Sequence, residues 1–129
     1  MFKNIINRYL VVLIFILMSG YVSKADTVSD LRELLAPYGS FDFRESGRND
    51  IAYAIFQDQK QITKQMYLAA LPFACLAIRE DPSFPKQFAI LNRFGQQGYV
   101  FEDTGLCAEV TRTRVNELEL LILGNSHLQ

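Results

Sequence analysis

The sequence predicts a mainly α, single-domain fold: a small bundle of four to five helices with one disulfide, and with room for a short two-stranded ribbon. Three observations support this prediction. Apolar residues recur at helical spacing along much of the chain. The only two cysteines lie within that pattern. The length of 129 residues, half of them hydrophobic and 21% charged, suits one compact domain and excludes a disordered chain.

The first 25 residues have the features of a secretory signal peptide. Lys3 and Arg8 precede an uncharged apolar run at residues 10–18, and Ser23 and Ala25 are small residues at the −3 and −1 positions. The alternative is an uncleaved membrane anchor, but a spanning helix needs about 20 apolar residues, and extending the run would bury Arg8. We therefore expect cleavage after Ala25 and a single helical domain at residues 26–129, with no membrane attachment after cleavage.

The charge of the expected mature domain argues against two classes of partner. Removing the three basic residues Lys3, Arg8 and Lys24 leaves 10 basic against 14 acidic side chains, a net charge of −4. An acidic domain without a cluster of Lys and Arg gains little from binding nucleic acid or an anionic membrane surface. No Asn-x-Ser/Thr acceptor follows residue 25, which favours a bacterial protein that is periplasmic or secreted.

Cys75 and Cys107 are the only cysteines and allow a single intramolecular pairing. An exported protein meets an oxidising compartment, where disulfides form and persist. The alternatives are two buried free thiols or a redox or metal pair, but neither cysteine lies in a Cys-x-x-Cys motif. We therefore predict a structural disulfide between Cys75 and Cys107.

Residues 27–36 are predicted to form the first helix, because Asp30 and Glu33 make a capping arrangement and Pro37 follows its end. Residues 41–45 alternate apolar and polar side chains and predict a brief extended segment. The longest periodic stretch is residues 51–80, which we interpret as helix, although alternation also allows a strand at residues 51–55. Pro72 either kinks this helix or begins a second one.

The last third of the chain predicts two more helices. Phe84, Phe88 and Leu91 share a helical face, and Gly95 follows as a helix-ending residue. Residues 99–101 are a short strand or a packed loop, and the extended segments near residues 41 and 99 could pair with each other. The pattern at residues 106–123 predicts the final helix, and residues 126–129 are expected to be a loose tail.

The residues argue against most catalytic chemistry. The single histidine, His127, lies in the expected tail, so neither Ser nor Cys has a histidine positioned to activate it. No ligand pattern for zinc or calcium is present, and we predict no metal and no cofactor. The prediction is a protein without enzymatic activity. The alternative is a carboxylate-based hydrolase, with candidate acids Glu45, Glu80, Glu102 and Asp103.

The aromatic residues in polar loops remain as candidates for binding. Aromatic side chains flanked by charge are typical of protein interfaces. The predicted partner-binding residues are Tyr38, Phe41, Phe43, Tyr99, Phe101, Glu102 and Asp103. The alternative is that these aromatic side chains cover the hydrophobic core from the loops. We expect the protein to bind another protein, as an inhibitor or immunity-type protein of an envelope-active enzyme or toxin. The alternatives are an accessory subunit of an envelope or secretion apparatus and a small-ligand-binding protein.

Overall fold

A computed structural model describes residues 23–129 and has a five-stranded mixed sheet. The predicted helical bundle is therefore wrong: of the described residues 43% are helical and 21% lie in strands, which makes the fold α/β. The expected signal peptide lies almost entirely outside the described residues. Its expected cleavage position, Ala25, falls in the first turn of a helix that Ser23 caps, and cleavage there stays a prediction.

The described residues follow the chain order helix, two strands, helix, two strands, two helices and a last strand. The helices are α1 (Lys24–Leu34), α2 (Lys64–Ile78), α3 (Cys107–Val110) and α4 (Val115–Gly124). The strands are β1 (Phe41–Glu45), β2 (Ile51–Phe56), β3 (Gln87–Leu91), β4 (Gly98–Phe101) and β5 (Ser126–Leu128). The sheet order is β1-β2-β3-β4-β5, and only β2 and β3 run parallel, connected through α2.

The stretch predicted as one long helix divides into a strand and a helix. Residues 51–56 form β2, in which Ala52, Ala54 and Phe56 are buried at alternate positions. The helical interpretation of this part is wrong, because an Ile51–Ile55 spacing fits both periods and the partners β1 and β3 decide between them. The helix begins after Thr63, whose hydroxyl accepts a hydrogen bond from the Met66 amide, and it continues through Pro72.

The helix predicted around residues 84–94 is also wrong, because its centre is strand β3. Four successive residues of β3, Phe88 to Leu91, are buried, as expected for a central strand covered on both faces. A short continuous apolar run does not distinguish such a strand from a buried helix. The extended segments predicted near residues 41 and 99 are strands β1 and β4, but β2 and β3 lie between them, so they do not pair.

The helices cover one face of the sheet and form the main core with it. Leu31 of α1, Tyr67 and Leu71 of α2 and Ile122 of α4 are buried against strand residues such as Phe88. The predicted disulfide is present: Cys75 of α2 is bonded to Cys107 of α3, and both residues are buried. Within residues 23–129, no helix is long and apolar enough to cross a membrane.

Candidate interaction surfaces

The aromatic residues predicted to bind a partner pack largely into the core. Phe41 and Phe101 are buried, and the Phe43 ring lies 6.2 Å from the ring of Phe84. The Tyr99 ring stacks on Tyr67 at 4.6 Å. Tyr38 is partly buried against the same core. These side chains do not form one patch, because β1 and β4 lie at opposite sides of β2 and β3.

The two predicted acidic residues, Glu102 and Asp103, are exposed and have local partners. The carboxylate of Glu102 lies 2.9 Å from Nδ1 of His127, and both side chains are about half exposed. Asp103 accepts a hydrogen bond from the Gly105 amide at 2.9 Å, which caps the short 3-10 helix Thr104–Leu106. A role for either residue in partner binding stays a prediction.

The C-terminal residues are ordered, contrary to the expected loose tail. Residues 126–128 form β5 at the edge of the sheet, and the Gln129 amide bonds to the Gly98 carbonyl. The Ser126 hydroxyl donates to the Ile122 carbonyl at 2.6 Å, so the Tyr67 hydroxyl donates to Ser126. Burial raises the pKa of Tyr67 well above its usual value. Tyr67 and Ser126 are far apart in sequence, and no local signal connects them.

The carboxylates considered for catalysis have structural partners. Glu45 pairs with Lys24 at 2.9 Å, and Glu80 pairs with Arg79 at 3.3 Å. Asp81 is buried and accepts hydrogen bonds from the hydroxyls of Thr27 and Ser83. The bond from Thr27 joins α1 to the loop that follows α2. Within residues 23–129 no cluster of three His, Cys, Asp or Glu side chains is close enough to hold a metal ion.

An apolar groove lies where α2, α3 and α4 meet, and sequence reasoning missed it. This helical groove has a volume of about 190 Å³ and is lined by Pro72, Phe73, Leu76, Val110, Thr111, Thr113 and Leu118. Phe73 is 46% exposed and Leu76 is 37% exposed. Almost every residue of α2 in this region is apolar, but only one side of the helix faces the sheet, so Phe73 and Leu76 face outward. The sequence contained this information, because a helix that is apolar on every side exposes apolar side chains wherever no other element packs against it.

Charged side chains surround this groove. At one end the Arg79 guanidinium donates to the Thr111 hydroxyl at 2.9 Å, and Arg112 and Arg114 follow on an exposed connection. Farther along, Lys64 of α2 lies 3.7 Å from Glu119 of α4. The groove is lined by apolar and hydroxyl-bearing side chains, and Arg79, which also pairs with Glu80, is bonded to its lining residue Thr111. Burial of such an apolar patch by a partner would release ordered water and stabilise a complex.

The opposite face of the sheet has another apolar cluster, in which Ala89, Leu91 and Val100 are buried; we call it the second apolar cluster. It consists of Ile51, Tyr53, Ile55, Ala89, Leu91 and Val100. A groove of about 580 Å³ crosses its edge, with Asp42, Arg44 and Arg93 among its charged lining residues. Phe94 is exposed there, and the Arg93 guanidinium lies 4.7 Å from the centre of its ring.

Comparison with known proteins identifies no relative that could assign either surface. The chain matches no protein-family model, no curated protein and no solved structure.

Proposed function

We propose that this chain is an exported protein that acts by binding another protein through the helical groove. The observation that supports this proposal is the exposure of Phe73 and Leu76 beside the disulfide. Exposed apolar side chains grouped in one patch mark protein interaction sites. The rigid disulfide between α2 and α3 lowers the entropy cost of presenting them.

The chemistry around the groove defines the partner further. Arg112 and Arg114 are exposed and are sequence neighbours of the lining residues Thr111 and Thr113, so a matching partner carries Asp or Glu next to its apolar anchor. Apolar anchors supply most of the affinity, and the arginines favour one orientation of the partner. The inhibitor or immunity-type role is the more specific form of this proposal. The alternative is a permanent subunit of an envelope or secretion apparatus.

Site-specific photo-crosslinking in cells tests the proposal. A photoreactive amino acid replaces Phe73 or Leu76 in separate chains, and Asp58 on an exposed loop serves as the matched control position. We expect one crosslinked product of the same mass at Phe73 and Leu76, and none at Asp58. Equal products at all positions, or products only at Asp58, would contradict the proposal.

The identity of the crosslinked protein then distinguishes an inhibitor from an accessory subunit. A free enzyme or toxin whose activity falls when the purified chain is added, but not when the Phe73→Asp chain is added, supports an inhibitor. A component of a large assembly that the chain leaves only on denaturation supports an accessory subunit. The Asp58→Asn chain is the control for added protein in both measurements.

A further inference from the structure

Strand β1 forms the longer of the two edges of the sheet described by residues 23–129. Within that range β1 pairs with β2 alone, and it has five residues against three in β5 at the other edge. The Ser46 amide bonds to the Ile51 carbonyl, and the Gln57 amide bonds to the Ser40 carbonyl, so even-numbered residues here bond to β2. Residues of an antiparallel pair alternate between bonding to the partner strand and facing away from it. The backbone N–H and C=O groups of the odd-numbered residues of β1 therefore point to the outer edge.

The side chains of β1 are complementary to those of a second β1 placed antiparallel about Phe43. In that register Phe43 lies opposite Phe43 of the second copy, and Asp42 lies opposite its Arg44. By symmetry Arg44 lies opposite Asp42 of the second copy, and opposite charges at directly facing positions stabilise a strand pair. Within one chain these two side chains lie 3.0 Å apart and are 47% and 68% exposed, so they are accessible to a second copy.

Two more charged groups lie at the ends of β1. The Arg32 guanidinium of α1 donates to the Phe41 carbonyl and lies 5.0 Å from the centre of the Phe41 ring, and no carboxylate among the described residues pairs with it. At the other end, one Glu45 oxygen binds Lys24, and the second oxygen is buried without a hydrogen-bond partner among the described residues. Such an oxygen is costly to leave unpaired. Antiparallel pairing about Phe43 places Phe41, and Arg32 with it, beside Glu45 of the second copy.

We propose that two copies of this chain pair through the outer edges of β1, antiparallel about Phe43, and form one continuous sheet across the dimer. The outward N–H and C=O groups of residues 41, 43 and 45 bond to the second copy, which satisfies an edge that otherwise remains open to pairing. The Phe41 carbonyl keeps its bond to Arg32, because a carbonyl oxygen has two lone pairs. This inference is independent of the helical groove, whose lining contains no residue of β1.

Charge reversal combined with sedimentation equilibrium tests this inference. The chain is expressed from its full sequence and purified with its disulfide intact, and we expect a dimer. Asp42→Arg places arginine opposite Arg44 at two symmetric positions, so the dissociation constant of the dimer should rise about tenfold or more. The double variant Asp42→Arg with Arg44→Asp restores opposite charges, and its dissociation constant should return to within about threefold of the wild-type value.

Glu119→Lys is the matched control, because it also reverses one exposed charge but lies on α4. Retention of the Cys75–Cys107 bond and of the circular dichroism spectrum shows that each variant folds. A wild-type chain that is monomeric at every concentration would overturn the proposal. A dimer that Asp42→Arg leaves unchanged, or a double variant as weak as Asp42→Arg alone, would also overturn it.

Amide hydrogen exchange at single residues provides the second measurement. The Phe43 amide points to the outer edge, whereas the Arg44 amide faces β2 and is the matched control. Both chains are compared at a concentration between the dissociation constants of the wild-type and Asp42→Arg dimers. We expect the Phe43 amide to exchange at least about threefold more slowly in the wild-type chain, and the Arg44 amide to exchange equally in both. Equal exchange of the Phe43 amide in the two chains would overturn the proposal.

Discussion

Helices α2 and α4 are both rich in apolar residues, yet they are buried to very different extents. Seven of the fifteen residues of α2 are buried, whereas Ile122 is the only buried residue of the ten in α4. Val115 and Leu120 of α4 are 88% and 77% exposed. The difference shows that apolar periodicity identifies a helix but does not measure its contribution to stability. Apolar side chains that the core does not use remain available for binding.

The largest expected effect concerns the covalent bond between α2 and α3. Replacing both Cys75 and Cys107 by Ala removes a crosslink across a sequence separation of 32 residues. We expect the free energy of unfolding to fall by about 3–4 kcal/mol, because the uncrosslinked unfolded chain gains conformational entropy. Urea denaturation of the oxidised wild-type and variant chains measures this loss. An unchanged denaturation midpoint would show that the bond does not hold α2 in place.

A pair of leucine substitutions tests the contrast between the two helices directly. Leu71 of α2 is fully buried, so Leu71→Ala is expected to cost about 2–5 kcal/mol in unfolding free energy. Leu120→Ala in α4 is the matched control and is expected to cost no more than about 0.5 kcal/mol. Both values come from the same denaturation experiment. Similar losses in the two chains would mean that Leu120 is buried in the folded protein and not exposed.

Partly buried Leu118 and Leu121 should fall between these limits, since they contact the core from α4. We expect Leu118→Ala to cost about 1–2 kcal/mol of unfolding free energy, because only part of its surface leaves water. The same substitution should weaken the proposed crosslink at Phe73, since Leu118 lines the helical groove. Leu121→Ala is the control for stability, since Leu121 is absent from the groove lining. An equal effect of both substitutions on the crosslink would contradict the role of Leu118.

The hydrogen bond from Tyr67 of α2 to Ser126, just beyond α4, predicts a pH dependence. Burial raises the pKa of Tyr67 above the ordinary value of 10.0 in the folded chain. The unfolded chain therefore loses this proton first, and stability declines as pH rises above about 10, by at most about 1.4 kcal/mol per pH unit. Tyr67→Phe should remove this part of the decline and cost about 1 kcal/mol of unfolding free energy at neutral pH.

Comparing urea denaturation of the two chains between pH 8 and pH 11 measures the Tyr67 contribution. All other side chains are the same in the two chains, so the difference between the two pH profiles is the informative quantity. Parallel profiles would show that the Tyr67 hydroxyl is not buried in the folded protein.

The smallest expected effect concerns the ion pair between the two helices. Lys64 and Glu119 are 3.7 Å apart, and both side chains are more than half exposed. Replacing Lys64 by Met is expected to change the unfolding free energy by less than about 0.5 kcal/mol, since water and salt screen such a pair. Denaturation at low and high salt measures the change. A larger, salt-dependent loss would show that charge pairing, and not packing alone, holds α4 against α2.

The candidate sites depend on contacts between residues that are far apart in sequence. The sequence identified Phe41 and Phe101 as candidate binding residues in loops. Both lie in strands, and their burial depends on strands and helices far away in sequence. His127 was predicted to lie in a loose tail, yet pairing of β5 with β4 places it beside Glu102. The helical groove requires α2, α3 and α4 to be positioned together, which no local window of sequence describes.

The sequence by itself determined features that depend on neighbouring residues or on the number of cysteines. The helical periodicity of α2 is local, and two cysteines allow one pairing, so the helix in the second part of residues 51–80 and the Cys75–Cys107 disulfide are confirmed. The tertiary structure decided that residues 51–56 and 87–91 are adjacent strands and which apolar side chains remain exposed. The physical reason is that a strand obtains its hydrogen bonds from distant residues, whereas a helix makes its own.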